Sequence, residues 1–377
     1  MPNYDNQKIY VFCVNLTGLI MGGYLHELGT EVEYLDNDKS KWNQNIVVGK
    51  CIPPMEADNR TRCIIAAESE NNKKSIEEQL KQLGFCGIDY VDEEWKRRWV
   101  YNYAPDMDDE LYIKIFWFYK MGYNLDLEHP ATFNEKLQWL KLYNKNPDYT
   151  MMADKSSVKG WVKERIGEEY VIPTYGVYDC FDEIDFASLP RSFVIKATHD
   201  CGSTIVCEDK EDLDLNEVEK KINLSLSRNK FYAEREFSYR DIKPRIIIEK
   251  FLGLSQKDIT DYKFMCFDGV CKLCFTCTDR NSVDGLKVTF FDLDWNKLSF
   301  TRDYPRDENS IPRPQRLDDM IDLAERLSSG IPFVRVDFYE IEGAIYFGEM
   351  TFYPGSGYEK FSPVEWDYKI GKLITVI

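Results

Sequence analysis

Histidine is scarce in this chain, which contains three (His26, His129 and His199) among its 377 residues. A catalytic or metal centre built from several histidines is therefore excluded by their number. The sequence also lacks any apolar run close to the roughly 20 residues that a membrane-spanning helix needs. No transmembrane helix is therefore expected.

Basic residues are outnumbered, because 48 lysines and arginines stand against 65 aspartates and glutamates, which gives a formal net charge of −17. A molecule with this charge repels a nucleic-acid duplex or an anionic membrane on average. Neither is expected as a partner. Local basic clusters can still bind a small phosphorylated molecule.

A secretory signal is not expected, because residues 1–8 are polar and have no basic segment followed by an apolar one. The 11 cysteines then indicate reduced thiols and a cytoplasmic location. Four of them have a spacing that suggests an iron–sulfur or zinc site, namely Cys266, Cys271, Cys274 and Cys277. Residues three apart in a strand face opposite sides, so Cys271 and Cys274 are expected to be separate buried thiols.

Hydrophobic residues are plentiful at 44% of the chain, with 22 Phe and 24 Tyr, so sizeable cores can form. A chain of this length suggests two or three domains. We predict an α/β domain over residues 1–95, a helical connecting segment over 96–150 and a larger α+β domain over 151–377.

The first segment alternates strand-like and helix-like stretches, which favours a parallel sheet of Rossmann type. The predicted strands are 9–14, 31–35, 63–67 and 89–91. A glycine turn after the first strand and an acid after the second are typical of a dinucleotide site, but the fingerprint G-x-G-x-x-G is missing. We expect a structural Rossmann-like domain without a dinucleotide, and a dinucleotide site remains the alternative.

The connecting segment is rich in aromatic residues and has two helical patterns. Leu111–Met121 follows the acids at 108–110, which favour a first helical turn, and Gly122 predicts its end. Phe133–Leu142 is the second predicted helix. The aromatic residues are expected to pack in the core.

Two acids near the C-terminus lie on a predicted β-hairpin around the turn signal Glu342-Gly343. A three-residue loop over 342–344 would place Asp337 opposite Glu349 on one face, whereas a two-residue turn would place them on opposite faces. We predict the three-residue loop. Two facing carboxylates attract a cation, and Mg²⁺ prefers such ligands together with substrate phosphates.

Arg335 lies two residues before Asp337, on the same face of the predicted strand. In that position it can offset the charge that develops during phosphoryl transfer. The alternative interpretation of Arg335, Asp337 and Glu349 is a salt-bridge cluster on an exposed sheet.

Three lysines upstream belong to the same pattern. Lys155 and Lys159 are one turn apart in a helix that we predict to begin at Asp154, a good N-cap. Lys196 is on an apolar strand, where an ammonium group needs an anionic partner unless it reaches the edge of the sheet. The small-residue loop 198–204 follows, and backbone N–H groups in such a loop can bind an anion.

These motifs occur in the order D-K-x-x-x-K, strand lysine and loop, E-K-F-L, D-Y-K-F, R-V-D-F and G-E-M-T-F-x-P-G-S-G. In that order they resemble the ATP-grasp superfamily, and more narrowly the TupA-like ATP-grasp family of bacterial surface-polysaccharide clusters, over roughly residues 110–377. The resemblance implies an ATP-grasp domain after the Rossmann-like one, with a nucleotide cleft between two antiparallel sheets. It implies ATP and Mg²⁺ as cofactors.

The resemblance also implies roles for matching residues. Those expected at the nucleotide are Lys159, Lys196, Gly202, Ser203, Glu249, Lys250, Leu252, Asp261 and Lys263. Lys159 and Lys196 would hold the triphosphate, and Gly202 and Ser203 would close over it. Glu249, Lys250 and Leu252 would line the adenine pocket, and Asp261 would lie near the ribose. His199 is expected to contact phosphate or substrate, with a satisfied structural role as the alternative. Asp200 is expected to point away from the phosphates.

The catalytic residues implied are Arg335, Lys196 and Lys159. Asp337 and Glu349 would ligate Mg²⁺, with Thr351 as a weaker third ligand where related enzymes often have Asn. The cluster 235–240, which contains Arg235 and Arg240, and the pair Asp279-Arg280 face the acceptor or form solvated surface.

The function that the resemblance implies is an ATP- and Mg²⁺-dependent carboxylate–amine ligase that acts through an acyl phosphate. Its partners would be a small or saccharide carboxylate and an amine acceptor, in capsular polysaccharide modification. One alternative is a phosphotransferase on the same fold. Another is a non-catalytic nucleotide-binding module of polysaccharide assembly. The sequence does not indicate an oligomeric state.

Overall fold

The computed structural model describes residues 7–253, 260–279 and 285–376. Arg280, one of the predicted acceptor contacts, lies outside the described residues.

The strands in the described ranges are β1 (Lys8–Phe12), β2 (Glu31–Leu35), β3 (Asn45–Ile46), β4 (Gly49–Ile52), β5 (Arg62–Ile65), β6 (Ile88–Tyr90), β7 (Thr174–Tyr178), β8 (Phe193–Ala197), β9 (Ile205–Cys207), β10 (Ile246–Lys250), β11 (Asp261–Phe267), β12 (Val270–Thr278), β13 (Lys287–Phe291), β14 (Thr301–Arg302), β15 (Phe333–Ile341), β16 (Ala344–Thr351) and β17 (Phe361–Ser362).

The α-helices in the same ranges are α1 (Leu16–Glu27), α2 (Glu70–Gln82), α3 (Glu93–Trp99), α4 (Asp109–Met121), α5 (Phe133–Tyr143), α6 (Asp148–Ala153), α7 (Val158–Ile166), α8 (Leu215–Leu226), α9 (Lys230–Glu234), α10 (Leu317–Ser328) and α11 (Glu365–Gly371).

The chain divides into two units. The first contains Met1–His129 with Tyr232–Arg235, and the second contains Pro130–Phe231 with Glu236–Ile377. The predicted three-part division at residues 95 and 150 remains a prediction.

The first unit is built on a sheet with the strand order β3-β4-β2-β1-β5-β6. All neighbouring pairs are parallel except β3 with β4. The predicted parallel sheet is therefore confirmed, although the short strands β3 and β4 were not predicted. Alternate residues of β1 enter different cores: Ile9 and Val11 pack in one cluster with α1, and Tyr10 and Phe12 pack in another with α2.

The acid that follows the second strand is Asp36, and its carboxylate is bound by groups of the protein itself. It accepts a hydrogen bond from the backbone N–H of Val14 at 2.8 Å and pairs with Lys41 at 2.9 Å. Gly18 lets α1 approach β1 closely, because a Cβ there would lie 2.0 Å from the carbonyl oxygen of Cys13. The absence of a dinucleotide from this unit remains a prediction.

The two helices predicted in the connecting segment are both present. Asp108 caps α4, and Gly122 ends it with a φ of 84°. Thr132 and Glu135 form a capping box at the start of α5.

The second unit contains two antiparallel sheets that matter for the site. One has the order β7-β10-β8-β9 and the other the order β13-β12-β11-β15-β16. In the five-stranded sheet, α10 packs on β11 and β15, and Val334, Val336 and Phe338 are fully buried. The intervening residues of β15 therefore face the opposite side.

The four-stranded sheet has the same division of faces. α8 packs on β8, and its Val218 and Ile222 belong to one cluster with Phe193 and Ile195. Alternation along the strand then turns Lys196 away from that core. None of the helices in the described part of the chain has the length and apolar character needed to cross a membrane.

Candidate functional site

Asp337 and Glu349 are paired across β15 and β16, as predicted, but the turn between the strands is not the predicted one. Ile341 pairs with Ala344, so the turn has two residues rather than three. These are Glu342 and Gly343, whose φ values of 51° and 79° fit a type I′ turn. The prediction of a three-residue loop is therefore wrong.

A β-bulge at Gly348 compensates for the shorter turn. Phe338 pairs with Phe347, whereas Asp337 pairs with Glu349, so Gly348 is an extra residue in β16. Because the bulge shifts the alternation by one residue, Phe347 faces the core and Glu349 shares a face with Asp337. The bulge was not predicted.

Arg335 joins the two acids. Its Nε donates to Asp337 Oδ1 at 2.7 Å, and its Nη2 donates to Asp337 Oδ2 at 2.7 Å and to Glu349 Oε1 at 2.8 Å. Asp337 is 1% exposed. Burial by itself raises the pKa of Glu349, but Arg335 and Lys263 outweigh burial and hold that pKa at about 2.

Lys263 extends this ionic group to the neighbouring strand. Its ammonium group contacts Asp337 and lies 2.5 Å from Asp261 Oδ2. Burial and Arg335 lower the pKa of Lys263, but the surrounding acids outweigh them and raise it. The other oxygen of Asp261, Oδ1, is buried and has no hydrogen-bond partner among the residues that the structure describes.

Thr351 pairs with Arg335 in register, and its Oγ1 donates to Glu349 Oε1 at 3.3 Å. Within the described ranges, no three or more His, Cys, Asp or Glu side chains are grouped as a metal site. Mg²⁺ usually needs only one or two carboxylates when substrate phosphates supply the remaining ligands. Asp337 and Glu349 have the chemistry and the common face for that mode of binding.

Glu249 brings together the two lysines predicted to hold the triphosphate. Its Oε1 contacts Lys159, and its Oε2 lies 2.5 Å from Lys196 Nζ. Lys159 also donates to the carbonyl oxygen of Ile172 at 2.6 Å. Burial raises the pKa of Glu249 by itself, but Lys196 and Lys159 outweigh burial and lower it.

The helix that carries Lys159 begins later than predicted. α7 starts at Val158, so its predicted start at Asp154 is wrong. The carboxylate of Asp154 accepts from the N–H of Ser156 at 2.8 Å and pairs with Arg245 at 3.1 Å. The side chain therefore stabilises the turn before the helix.

Lys155 is a site residue for which the sequence predicted no role. Its ammonium group donates to the carbonyl oxygen of Asp200, and no ion pair of Lys155 is formed within the described residues. Burial lowers its pKa, whereas the charge of Glu349 opposes this change. A half-buried cation without an acid partner is suited to a polyanion.

The loop after β8 exposes backbone at Gly202, whereas the carboxylate of Asp200 is bound by side chains of the protein. Gly202 has a φ of 102°, and a Cβ there would have no atom within 4 Å. Ser203 Oγ accepts from the N–H of Ala197 at 2.9 Å and donates to Asp200 at 2.6 Å. The second oxygen of Asp200 accepts from Ser225, so this carboxylate is held by the protein's own hydroxyl groups.

His199 lies elsewhere. It is 2% exposed, and its Nε2 lies 3.2 Å and 3.1 Å from the carbonyl oxygens of Ser225 and Arg228. Since carbonyl oxygens only accept, Nε2 is the protonated nitrogen. This geometry supports a packing role at the end of α8, and the predicted phosphate or substrate contact has no support from it.

The predicted adenine-pocket residues lie at the end of β10. Lys250 is exposed, and its N–H donates to the carbonyl oxygen of Pro173 at 2.9 Å. Leu252 follows the strand and is half-buried. Their role stays a prediction.

A cavity of about 350 Å³ is lined by residues of both the four-stranded and the five-stranded sheet. Its charged lining consists of Lys155, Lys196, Asp261, Lys263, Arg302, Arg335, Asp337, Glu349 and Glu359, and Gly202 also lines it. Lys159, Glu249, Ser203 and Thr351 are not part of the lining. Glu249, Ser203 and Thr351 contact or flank residues that are, and Lys159 contacts Glu249.

The predicted acceptor contacts do not line the cavity in the described part of the chain. Arg235 is buried in the first unit and lies 2.9 Å from Asp109. Arg240 lies over the ring of Phe237, 4.6 Å from its centroid. Asp279 pairs with Lys287 at 2.6 Å.

The model of the TupA-like ATP-grasp family matches residues 135–375, more than half of the chain. The chain belongs to this family. Membership confirms the predicted family and fold class, and with them an ATP-dependent enzyme that uses ATP and Mg²⁺. No curated protein sequence matches this ATP-grasp chain.

Three solved structures are similar to this chain. They are an L-amino acid ligase from Bacillus licheniformis (12% identity, 94% of this chain and 70% of that chain, TM-score 0.34), an N5-carboxyaminoimidazole synthetase from Staphylococcus aureus complexed with ADP (14%, 93% and 71%, TM-score 0.35) and a D-alanine–D-alanine ligase from Bacillus anthracis complexed with ATP (12%, 98% and 95%, TM-score 0.34). At these scores the likeness carries no functional argument.

The residues of this ATP-grasp protein fit a nucleotide with Mg²⁺. Lys155 is a cation without an acid partner in the described ranges, which suits a phosphate. Asp261 Oδ1 is a buried acceptor without a donor there, which suits a ribose hydroxyl. Asp337 and Glu349 supply hard oxygen ligands on one face.

Proposed function

We propose that this protein is an ATP- and Mg²⁺-dependent carboxylate–amine ligase that acts through an acyl phosphate. The observation that carries the proposal is the common cavity of Arg335, Asp337 and Glu349 with Lys155 and Lys196. A non-catalytic nucleotide-binding module has no need of an arginine fixed between two acids at that position.

Asp337, Glu349 and Thr351 are the proposed ligands of Mg²⁺, which when bound neutralises phosphate charge and aligns the outer phosphates. Arg335 is held by both acids, so its guanidinium group is fixed before substrate arrives. A fixed cation stabilises developing charge without reorganisation during the reaction.

The lysines have a different proposed role, which is to hold the phosphates. Lys196 and Lys159 share Glu249, and Lys155 has no acid partner within the described ranges. Gly202 and Ser203 belong to the loop that closes over the phosphates. Asp261 and Lys263 are proposed to contact the ribose and phosphates, and Glu249, Lys250 and Leu252 to line the adenine pocket.

The proposed reaction has two steps. A carboxylate oxygen of the substrate takes the terminal phosphoryl group, and the bond from phosphorus to the ADP oxygen breaks. An amine nitrogen then forms a bond to the acyl carbon, phosphate leaves with the electron pair of the broken C–O bond, and the nitrogen releases a proton. Arg335 faces the phosphoryl group in the first step, where charge builds up.

The proposed substrates are a uronic-acid-bearing sugar, or an amino acid joined to one, and an amine. Support comes from the resemblance to enzymes of bacterial surface-polysaccharide clusters. The corresponding location is the bacterial cytoplasm, where ATP is present.

The test is ADP release from ATP and MgCl₂ with a panel of uronic acids and amino acids, with and without amines. Glu349→Gln should lower turnover by roughly 100-fold or more, because it removes a charged metal ligand. Glu342→Gln, in the turn of the same hairpin, is the matched control and should keep full turnover. Unchanged turnover in Glu349→Gln would disprove the proposal.

Product analysis separates ligase from phosphotransferase. Mass spectrometry should show an amide whose mass equals acid plus amine minus water. A stable phosphorylated product whose yield does not depend on amine would instead establish the phosphotransferase.

A further inference from the structure

Arg302 is a buried cation in the cavity wall whose hydrogen-bonding capacity is only partly used. It is 4% exposed and lies on β14. Its Nη2 lies 2.5 Å from Glu359 Oε2. Its Nε and Nη1 are buried without a hydrogen-bond partner among the described residues. Buried polar groups of native proteins are nearly always hydrogen-bonded, so two unpaired guanidinium nitrogens call for a ligand.

The surroundings of this guanidinium group are aromatic. Its carbon lies 5.7 Å from the ring centroids of Phe275 and Phe290 and 5.9 Å from that of Phe361. These rings limit access of water. A charge-assisted hydrogen bond to an anion is therefore stronger here than on an exposed surface.

Arg302 is also close to the proposed reaction centre. The guanidinium carbon of Arg335 lies 5.8 Å from the centroid of Phe275, the same ring that Arg302 contacts. Both arginines line the cavity. Arg335 is already bound to two acids, whereas Arg302 has, among the residues that the structure describes, one acid partner and two nitrogens without a hydrogen bond.

Other cations of the cavity are less suited to the acid substrate. Lys263 contacts two acids, and Lys196 pairs with Glu249. Lys155 donates to a carbonyl oxygen next to the loop of Gly202, where the phosphates are proposed to lie. Arg302 lies instead among Phe275, Leu286, Val288 and Tyr304, which line the cavity with apolar and aromatic surface.

We infer that Arg302 binds a carboxylate of the acid substrate and so orients it in the cavity beside Arg335. This inference rests on the proposed function and deepens it, because it names the residue that selects an anionic substrate. Arg302 contacts the substrate and does not take part in breaking or forming bonds. A planar guanidinium with free donors beside an apolar wall suits an organic acid with an apolar or sugar-like body.

The experiment uses nitrogen-15 NMR of the full chain, observing the Nε–H resonances of arginine. The resonance of Arg302 is assigned by its loss in Arg302→Lys, and by its shift in Glu359→Gln if the first variant does not fold. Sodium acetate is the probe, titrated against equal concentrations of sodium chloride and of acetamide. The expected result is a saturable shift of the Arg302 resonance with acetate alone.

A matched control is Arg313→Lys, which alters an exposed arginine paired with Asp318 at 2.9 Å and should leave the acetate response unchanged. No shift of the Arg302 resonance, a shift that does not saturate, or an equal shift with chloride or acetamide would overturn the inference. Addition of ADP and MgCl₂ to the same sample tests the nucleotide site separately. Failure of nucleotide binding would count against the proposed function, whereas failure of the acetate response alone would count against the role of Arg302.

Discussion

Lys196 lies 2.5 Å from one carboxylate oxygen of Glu249, and the other oxygen of that carboxylate contacts Lys159. One acid, 4% exposed, therefore pairs with two cations, and the group keeps a net positive charge. Burial lowers the pKa of Lys159, and Glu249 opposes that change.

Replacement of Glu249 should destabilise the fold. Glu249→Gln leaves two buried ammonium groups without their acid, so the free energy of unfolding should fall by about 3 kcal/mol or more. Urea denaturation measures the change. Glu168→Gln is the control, because Glu168 pairs with Lys163 at 2.7 Å on the exposed surface and should change stability by less than about 1 kcal/mol. Equal effects of the two variants would contradict the prediction.

Lys155→Met should separate stability from nucleotide binding. The unfolding free energy should rise, because burial disfavours the charged ammonium group, which has no acid partner in the described ranges. The KM for ATP should rise roughly tenfold, the equivalent of one charge-assisted hydrogen bond. Urea denaturation and initial rates of ADP release measure the two effects. Lys163→Met is the control on the same stretch of chain and should leave the KM for ATP unchanged. A Lys155→Met variant with a normal KM for ATP would show that Lys155 does not bind the nucleotide.

Arg335→Lys should lower kcat by roughly 100-fold while the KM for ATP changes less. A lysine cannot reproduce the three hydrogen bonds to Asp337 and Glu349, so the cation is no longer fixed. Steady-state kinetics of ADP release measure both constants. The control is Arg306→Lys, which changes a surface arginine bound to Glu308 at 2.8 Å and should keep both constants. An equal reduction of kcat in Arg335→Lys and Arg306→Lys would contradict a specific role of Arg335 in the reaction.

Asp367 should make stability depend on pH. Burial raises its pKa to about 6, although hydrogen bonds from Asn134 act in the opposite direction. An unfolded aspartate titrates near pH 4, so between about pH 4 and pH 6 the folded state binds more protons than the unfolded state. The contribution of Asp367 to the free energy of unfolding should therefore fall as pH rises through this window.

Asp367→Asn removes that titration. Its stability relative to the wild type should increase from pH 4 to pH 6 and then stay constant, as measured by urea denaturation at each pH. Asp294→Asn alters an exposed acid and is the control for general pH effects. A difference between Asp367→Asn and wild type that does not vary with pH would contradict the assignment.

Several elements could be predicted because their cause is local. β2 has the predicted bounds, since it is a short alternating run between polar or small residues. α4 ends at Gly122 because glycine adopts the left-handed conformation without strain. The short strands β3 and β4 carry too weak a pattern to be predicted.

The hairpin shows where local reasoning fails. The pairing of Asp337 with Glu349 was predicted from a three-residue loop, but it depends on a two-residue turn and a bulge at Gly348. Nothing in the hairpin sequence alone requires the bulge. It forms because Phe347 and Met350 must both face the core, and they are separated by an odd number of positions.

The order of short motifs along the chain was enough by itself to identify the ATP-grasp family, because each motif is a local arrangement of charge beside a strand, turn or helix. The tertiary structure decided which of those charged groups meet. It placed Lys155 and Arg302 in the cavity and His199 outside it, since the direction of each side chain depends on packing between segments that are far apart in the sequence.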